Sequence, residues 1–301
     1  MQKKNILLLI ILSISATIIF TVSFYNYSLN INSLLISENA EYQLDTTYLN
    51  KPVVYIGVIS RYPPNIIYRG YQPLLDYLTQ ETKYRFELKL SSDYDEAVNL
   101  LVTNKVSVAF LGSLVYINAH DKYGVVPILK PLNENFEPFG RSVLITGINS
   151  QISNINDLKN KKLALPSRQS FSAYWIIKKE FNRYGIKPEE LVKIEYFPHH
   201  QSVIFQVAKG LFDAGVTREY LVNKTINKKV KIILFSDPIP TSPLVVSANY
   251  DKNLVAGVKK ALLKINKSNR EKITKGWDNE FIYGFREASD KDYNSIREIN
   301  R

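Results

Sequence analysis

Three serines, Ser167, Ser170 and Ser172, follow the apolar stretch 163–166 and precede Phe171, Trp175, Ile176 and Phe181, which recur at helical spacing. Hydroxyls in the first turn of a helix add donors to backbone N–H groups that the helix leaves free, beside the positive end of its dipole. That is the chemistry of anion capture. Ordinary capping by one serine is the plainer reading of the same residues. A second strand-to-helix junction is AFLGSLVY, residues 109–116. There Gly112 admits a close backbone approach, Ser113 can cap, and Tyr116 sits one helical turn on. A third is His199-His200, opening a segment with Val203, Ile204, Val207 and Ala208 on one face and Gly210 at its end. A histidine there can donate to an oxyanion, and a surface histidine near a cap is the plainer reading.

Composition removes several classes of chemistry. The 301 residues contain no cysteine, which excludes disulfides, thiolate metal sites, cysteine nucleophiles and a lipid-bearing N-terminal cysteine. Adjacent histidines point apart and no carboxylate cluster lies near them in sequence, so neither a metal nor any other cofactor is expected. No HExxH, GxxxxGK[ST] or GxSxG motif occurs, and no catalytic set is marked. The expectation is a binding protein and not an enzyme. The net charge of +11 favours anionic partners, although Lys161-Lys162, Lys178-Lys179, Lys228-Lys229 and Lys259-Lys260 are scattered as solvated faces would be.

These junctions need a scaffold of strands alternating with helices. Apolar runs at 53–59, 84–90, 106–111, 125–130, 142–147, 162–165, 191–197, 214–216, 231–235 and 244–248 are predicted strands. Predicted helices include one with Pro73 near its start, one at 94–103, and others at 172–184, 201–210, 218–223, 251–266 and 268–276. The alternation implies an α/β fold with mostly parallel sheets. Ahead of it, Lys3 and Lys4 precede an apolar run from about 6 to 24. This reads as a cleaved export signal or an uncleaved signal-anchor over residues 1–28, followed by a spacer over 29–50. The rest then lies outside the cytoplasm, where nucleic acid is not an expected partner.

Together the segments YQPLLDYL (71–78), VSVAFLGSLVY (106–116), SVLITGINSQISNINDLKNKKLALPSRQSFSAYW (142–175), HQSVIFQVAKGLFDAGVT (200–217), SDPIPTSPLVV (236–246) and FREASDKDYNSIRE (285–298) carry a resemblance. The chain resembles the phosphate/phosphite/phosphonate-type periplasmic solute-binding proteins of ABC importers over nearly all of residues 53–301. The resemblance implies a two-lobed periplasmic-binding-protein fold, type II-like, with the ligand in the interlobe cleft. Lobe 1 is expected from 51–145 plus 243–301, and lobe 2 from 146–242. The family's serine-rich helix start falls on Ser167, Ser170 and Ser172, and its cleft histidine on His200. Its strand-end glycine and nearby aromatic fall on Gly112 and Tyr116, with Ser113 between them, and Tyr71 is the implied aromatic of the first lobe. The chain departs from the family in two places. Ser170-Phe171-Ser172-Ala173 replaces an SxSG helix start, and Ser242 stands where an acid would meet an amine-bearing phosphonate. Glu219 is the remaining candidate acid. The implied function is capture of a small oxyanion for an ABC permease, in the periplasm or on the outer face of the inner membrane if the N-terminal segment stays as an anchor. The alternative is a tethered sensor of the same fold, signalling to a membrane kinase or cyclase.

Overall fold

Strand β1 (Val53–Val58) is a β-branched run that pairs in parallel with β2 (Arg85–Leu90) on one side and β3 (Val108–Phe110) on the other. The computed structural model in which these elements are seen describes residues 13, 15–23, 48–222, 229–265 and 267–300. Two compact units are present, residues 1–46 and 47–301. In the first, residues 15–23 are helical, while most of the expected signal or anchor (1–28) and spacer (29–50) lies outside the described residues. Among the described residues no helix is long and apolar enough to cross a membrane.

The second unit holds two principal sheets. In the first, the parallel set β2-β1-β3 continues through antiparallel strands β12 (Leu244–Val246), β4 (Val126–Pro131) and β13 (Phe285–Glu287). In the second, β7 (Lys162–Leu165) runs parallel to β8 (Lys193–Tyr196) and β9 (Ala214–Arg218). Antiparallel β6 (Ser142–Gly147) and β10 (Val230–Phe235) complete that sheet. The α/β architecture is as expected, but the sheets are mixed rather than mostly parallel. The reason is topological: the chain re-enters the first sheet directly from the second, so β12 runs against its neighbour β3.

The chain crosses between the sheets twice, through β5 (Phe139–Gly140) and β11 (Ile239–Pro240), and the two crossings pair with each other as a short antiparallel ribbon. The lobe boundary expected after residue 145 therefore moves. Ser142 pairs with Arg218 and Val143 with Thr217, so all of β6 belongs to the second sheet. Three hydrogen bonds fix the ribbon to the first lobe. Ser113 Oγ donates to the Pro240 carbonyl at 2.9 Å, Thr241 Oγ1 to Pro131 O at 2.6 Å, and the Tyr293 hydroxyl to Thr241 O at 3.1 Å.

Helix α1 (Pro64–Glu81) starts earlier than expected, because Pro64 takes the first helical position and Pro73 lies inside the helix. Its buried residues Ile67, Tyr71, Leu74, Leu75 and Leu78 follow the helical period and pack on the first sheet with Val58, Phe110 and Phe281. A proline in the interior removes one helical N–H. One turn earlier, Gly70 leaves space for the incoming C-terminal segment: its carbonyl accepts from Asp278 N at 2.8 Å, and a Cβ there would lie 3.0 Å from Asp278 Cβ. Helices α2 (Tyr94–Val102) and α3 (Ser113–Tyr123) complete the N-terminal half of this lobe. Later in the chain come α6 (Lys252–Leu263), α7 (Arg270–Ile273) and α8 (Asn294–Asn300).

In the second lobe α4 is one helical run, Phe171–Tyr174, Trp175–Glu180 and Phe181–Tyr184, whose middle part is π-helical. Trp175 Nε1 donates to Glu180 Oε1 at 2.9 Å, a five-residue link that fits the wider turn. Helix α5 (His200–Ala208) packs on β9 so closely that a Cβ on Gly215 would lie 2.6 Å from Val203 Cγ1 and 2.8 Å from Val207 Cγ2. The helix expected over 218–223 is not formed: Arg218 ends β9, and a single 3-10 turn, Glu219–Leu221, follows. Over 268–276 only α7 is α-helical.

Candidate ligand site between the two sheets

The carboxyl ends of four strands converge on one cavity. From the first lobe come Ile59 and Arg61 beyond β1, Gly112 beyond β3, and Tyr94 at the first position of α2. From the second come Gln169, Ser170 and Phe171 in the junction after β7, His200 at the start of α5, Arg218 at the end of β9, and Tyr220 just after it. Ser242, next to the ribbon, completes the wall. Strand carboxyl ends are where α/β sheets place ligands, because the helices that follow present their N-termini there. The cavity measures about 20 Å³, on the scale of one or two waters. Any ligand larger than one or two waters needs the cleft to open further.

The helix starts orient their side chains through caps. Asp93 accepts the Glu96 N–H at 2.8 Å while Glu96 Oε2 accepts the Ser92 N–H, and this reciprocal arrangement points Tyr94 inward. Ser170 caps α4, its Oγ accepting the Ser172 N–H at 3.3 Å. The Ser170 hydroxyl also lies 3.2 Å from His200 Nε2, and His200 Nδ1 lies 3.4 Å from Thr217 Oγ1. Burial, then the positive charges of Arg218, Arg61 and His199, push the His200 pKa well below the usual histidine range. The ring is therefore neutral at pH 7 and offers one donor and one acceptor.

Positive charge in the cavity comes from arginine. Arg61, 5% exposed, pairs with the equally buried Glu280, while its Nε and Nη2 have no hydrogen-bond partner among the described residues. Arg218, 9% exposed, forms no ion pair or side-chain hydrogen bond among the described residues, and its guanidinium carbon lies 5.9 Å from the Phe171 ring centroid. Burial, together with repulsion from Arg61, lowers the Arg218 pKa from its ordinary value. Asp278 lies near Glu280 and off the cavity wall, and burial with the Glu280 charge raises its pKa to about 6.

Of the residues singled out in the sequence, Gly112, Ser170, His200 and Ser242 meet on this wall. The others are placed elsewhere. The Tyr71 ring is fully buried off the cavity lining, edge-on to Phe110 and Phe281, with its hydroxyl unpartnered among the described residues. Tyr116 donates to Asp290 Oδ1 at 2.6 Å, Ser113 holds the ribbon, and Ser172 bonds Ser142 Oγ at 2.7 Å in the core. Ser167 Oγ accepts the Gln169 N–H at 3.3 Å, and Glu219 is exposed. Arg61, Tyr94, Gln169, Arg218 and Tyr220 were not anticipated. A polar residue ending a buried strand, as Arg218 ends AGVTR, was the signal available for one of them.

Three contacts join the lobes across the cleft mouth. His199 Nδ1 donates to Ser60 O at 2.9 Å, Gln169 Nε2 donates to Asp95 Oδ1 at 2.7 Å, and the Tyr62 and Tyr220 hydroxyls lie 3.4 Å apart. Two mixed sheets, a paired double crossing and a donor-lined cavity at the strand ends define a two-lobed solute-binding protein. The chain belongs to the family of periplasmic substrate-binding proteins of phosphonate ABC transporters, whose model matches residues 56–293. That is a family of binding proteins rather than enzymes, and its members act outside the cytoplasm.

Solved structures share the fold at low identity. A binding-protein component of an ABC phosphonate transporter from Pseudomonas aeruginosa superposes with a TM-score of 0.73 at 19% identity, covering 83% of this chain and 86% of that one. PhnD1 from Prochlorococcus marinus, solved in complex with methylphosphonate, gives 0.72 at 19% identity, covering 83% and 97%. A Xanthomonas citri protein solved with ATP gives 0.64 at 18%, covering 83% and 96%.

Proposed function

We propose that this chain captures a small oxyanion of the phosphonate, phosphite or phosphate type and delivers it to an ABC permease. The observation that carries the reading is the cavity wall. It presents neutral donors from Ser170, His200, Ser242 and Tyr94 beside two guanidinium groups, and no carboxylate. Charge-assisted hydrogen bonds to such an anion are short and strong, so a few suffice. The cavity volume favours a compact tetrahedral group over a nucleotide. The methylphosphonate bound to the Prochlorococcus protein supports the same ligand type. The basic, apolar N-terminus supports an export signal or anchor ahead of the binding unit.

Calorimetry on the full chain in mild detergent tests this, with methylphosphonate, phosphite, phosphate and sulfate as titrants. Saturable binding of at least one phosphorus oxyanion is expected. Ser170→Ala and His200→Ala should each weaken it by about 1–3 kcal/mol. Absence of binding by all four would refute the ligand class, and unchanged affinity in both variants would move the site elsewhere.

A further inference from the structure

Buried guanidinium groups need partners. An unpaired charge held away from water is among the costliest arrangements a protein can keep. Arg218 is such a group: it ends the central strand β9, lines the cavity, and has neither a carboxylate nor a hydrogen-bonding partner among the described residues. Arg61 lines the same cavity from the other lobe, and its buried Nε and Nη2 are without a hydrogen-bond partner among the described residues. His200, on the same wall, stays neutral under burial and both charges, so it cannot stand in for either.

The acids nearby do not change the character of the wall. Glu280 is held by Arg61, and although its charge also acts on Arg218 and Tyr220 it makes no ion pair with Arg218 among the described residues. Asp278 acts on Tyr62, Tyr71, Tyr220 and Arg61 and lies off the lining. Neither carboxylate lines the cavity, and Glu219 is exposed outside it. A cationic substituent on the ligand would therefore meet guanidinium and hydroxyl hydrogens on a lining that holds no carboxylate among the described residues.

Resting on the binding role proposed above, we infer that Arg218, with Arg61, forms a charge filter: both hold the oxyanion, and together they restrict the ligand to oxyanions without an ammonium group. Arg218 reaches the anion from β9 and Arg61 from the end of β1, so the two lobes each contribute one cation. Closure about the ligand then brings two like charges together with an anion between them.

The test uses the full chain in detergent and the tightest binder among methylphosphonate, phosphite and phosphate. Arg218→Gln should weaken that ligand by about 10-fold to 100-fold, the range expected for one lost charge-assisted bond. Arg218→Lys, which keeps the charge, should recover most of the loss. An effect of Arg218→Gln within about twofold would overturn the inference, the ligand's own contacts being then neutral ones. Selectivity is read on the wild-type chain alone, with ethylphosphonate and aminomethylphosphonate, which match in shape and differ in charge. Ethylphosphonate should bind at least about 10-fold more tightly, since like charges at contact distance repel strongly in a partly desolvated site. Equal or tighter binding of aminomethylphosphonate would overturn the filter while leaving the oxyanion-binding role intact. Failure of every oxyanion to bind would instead refute the role on which the filter rests.

Discussion

Replacing Asp278 by asparagine should change how stability depends on pH, and the size of the change follows from the structure. The carboxyl sits by Gly70 of α1, accepts the Glu280 N–H at 2.9 Å through Oδ1, and has its pKa raised from 3.8 to about 6 by burial and the Glu280 charge. A folded-state pKa above the unfolded one means that the native protein holds a proton the unfolded chain releases. The associated stability is complete below about pH 4 and is lost as pH rises through about 6. The shift of roughly two units corresponds to about 3 kcal/mol. Asparagine keeps the Oδ1 acceptor and carries no charge, so the variant lacks this loss. Urea denaturation of both proteins between pH 4 and pH 7.5 should show the variant gaining about 3 kcal/mol relative to the wild type across the window. Taking the difference cancels the groups common to both chains. A difference that stays flat with pH, or runs the other way, would refute the assignment of Asp278 as a carboxyl whose charged form is disfavoured by burial and by Glu280.

Gly215→Ala should cost about 1–3 kcal/mol by overpacking, because its Cβ would approach Val203 and Val207 of α5 within 3 Å; thermal denaturation reads this directly. An unchanged melting temperature would mean that α5 shifts at little cost. His199→Ala removes the bond to Ser60 O without touching the cavity wall. It should weaken oxyanion binding by about 0.5–1.5 kcal/mol by disfavouring lobe closure, measured by the same calorimetry. Unaltered affinity would show that this bond does not bias closure.

Most strands were legible because buried β-branched runs such as 53–59 and 142–147 have no competing helical period. The ribbon of β5 and β11 was not, since two residues per strand carry no period at all. The start of α1 was misplaced because Pro73 drew the first-turn reading that belongs to Pro64. At the site, the helix starts at Ser170 and His200 were visible as local chemistry. Arg61 was hidden ahead of a proline-rich turn, and Tyr94 looked like an ordinary first-turn aromatic. Only the meeting of β1, β3, β7 and β9 gives those side chains a common target. Tyr116 and Ser113 show the converse: residues with suitable chemistry at a suitable junction are engaged by Asp290 and by the ribbon.

The ribbon and the cavity are contiguous along the chain. Ser113 and Thr241, which tie the double crossing to the first lobe, are immediate neighbours of Gly112 and Ser242 on the cavity wall. Fulcrum and load therefore sit nearly together, and the far rims of the lobes form the long arms. A rotation about that ribbon would displace the adjoining cavity wall less than the rims farther from it. The ribbon is fixed to the first lobe by those bonds, while the second lobe carries α4, α5 and Arg218.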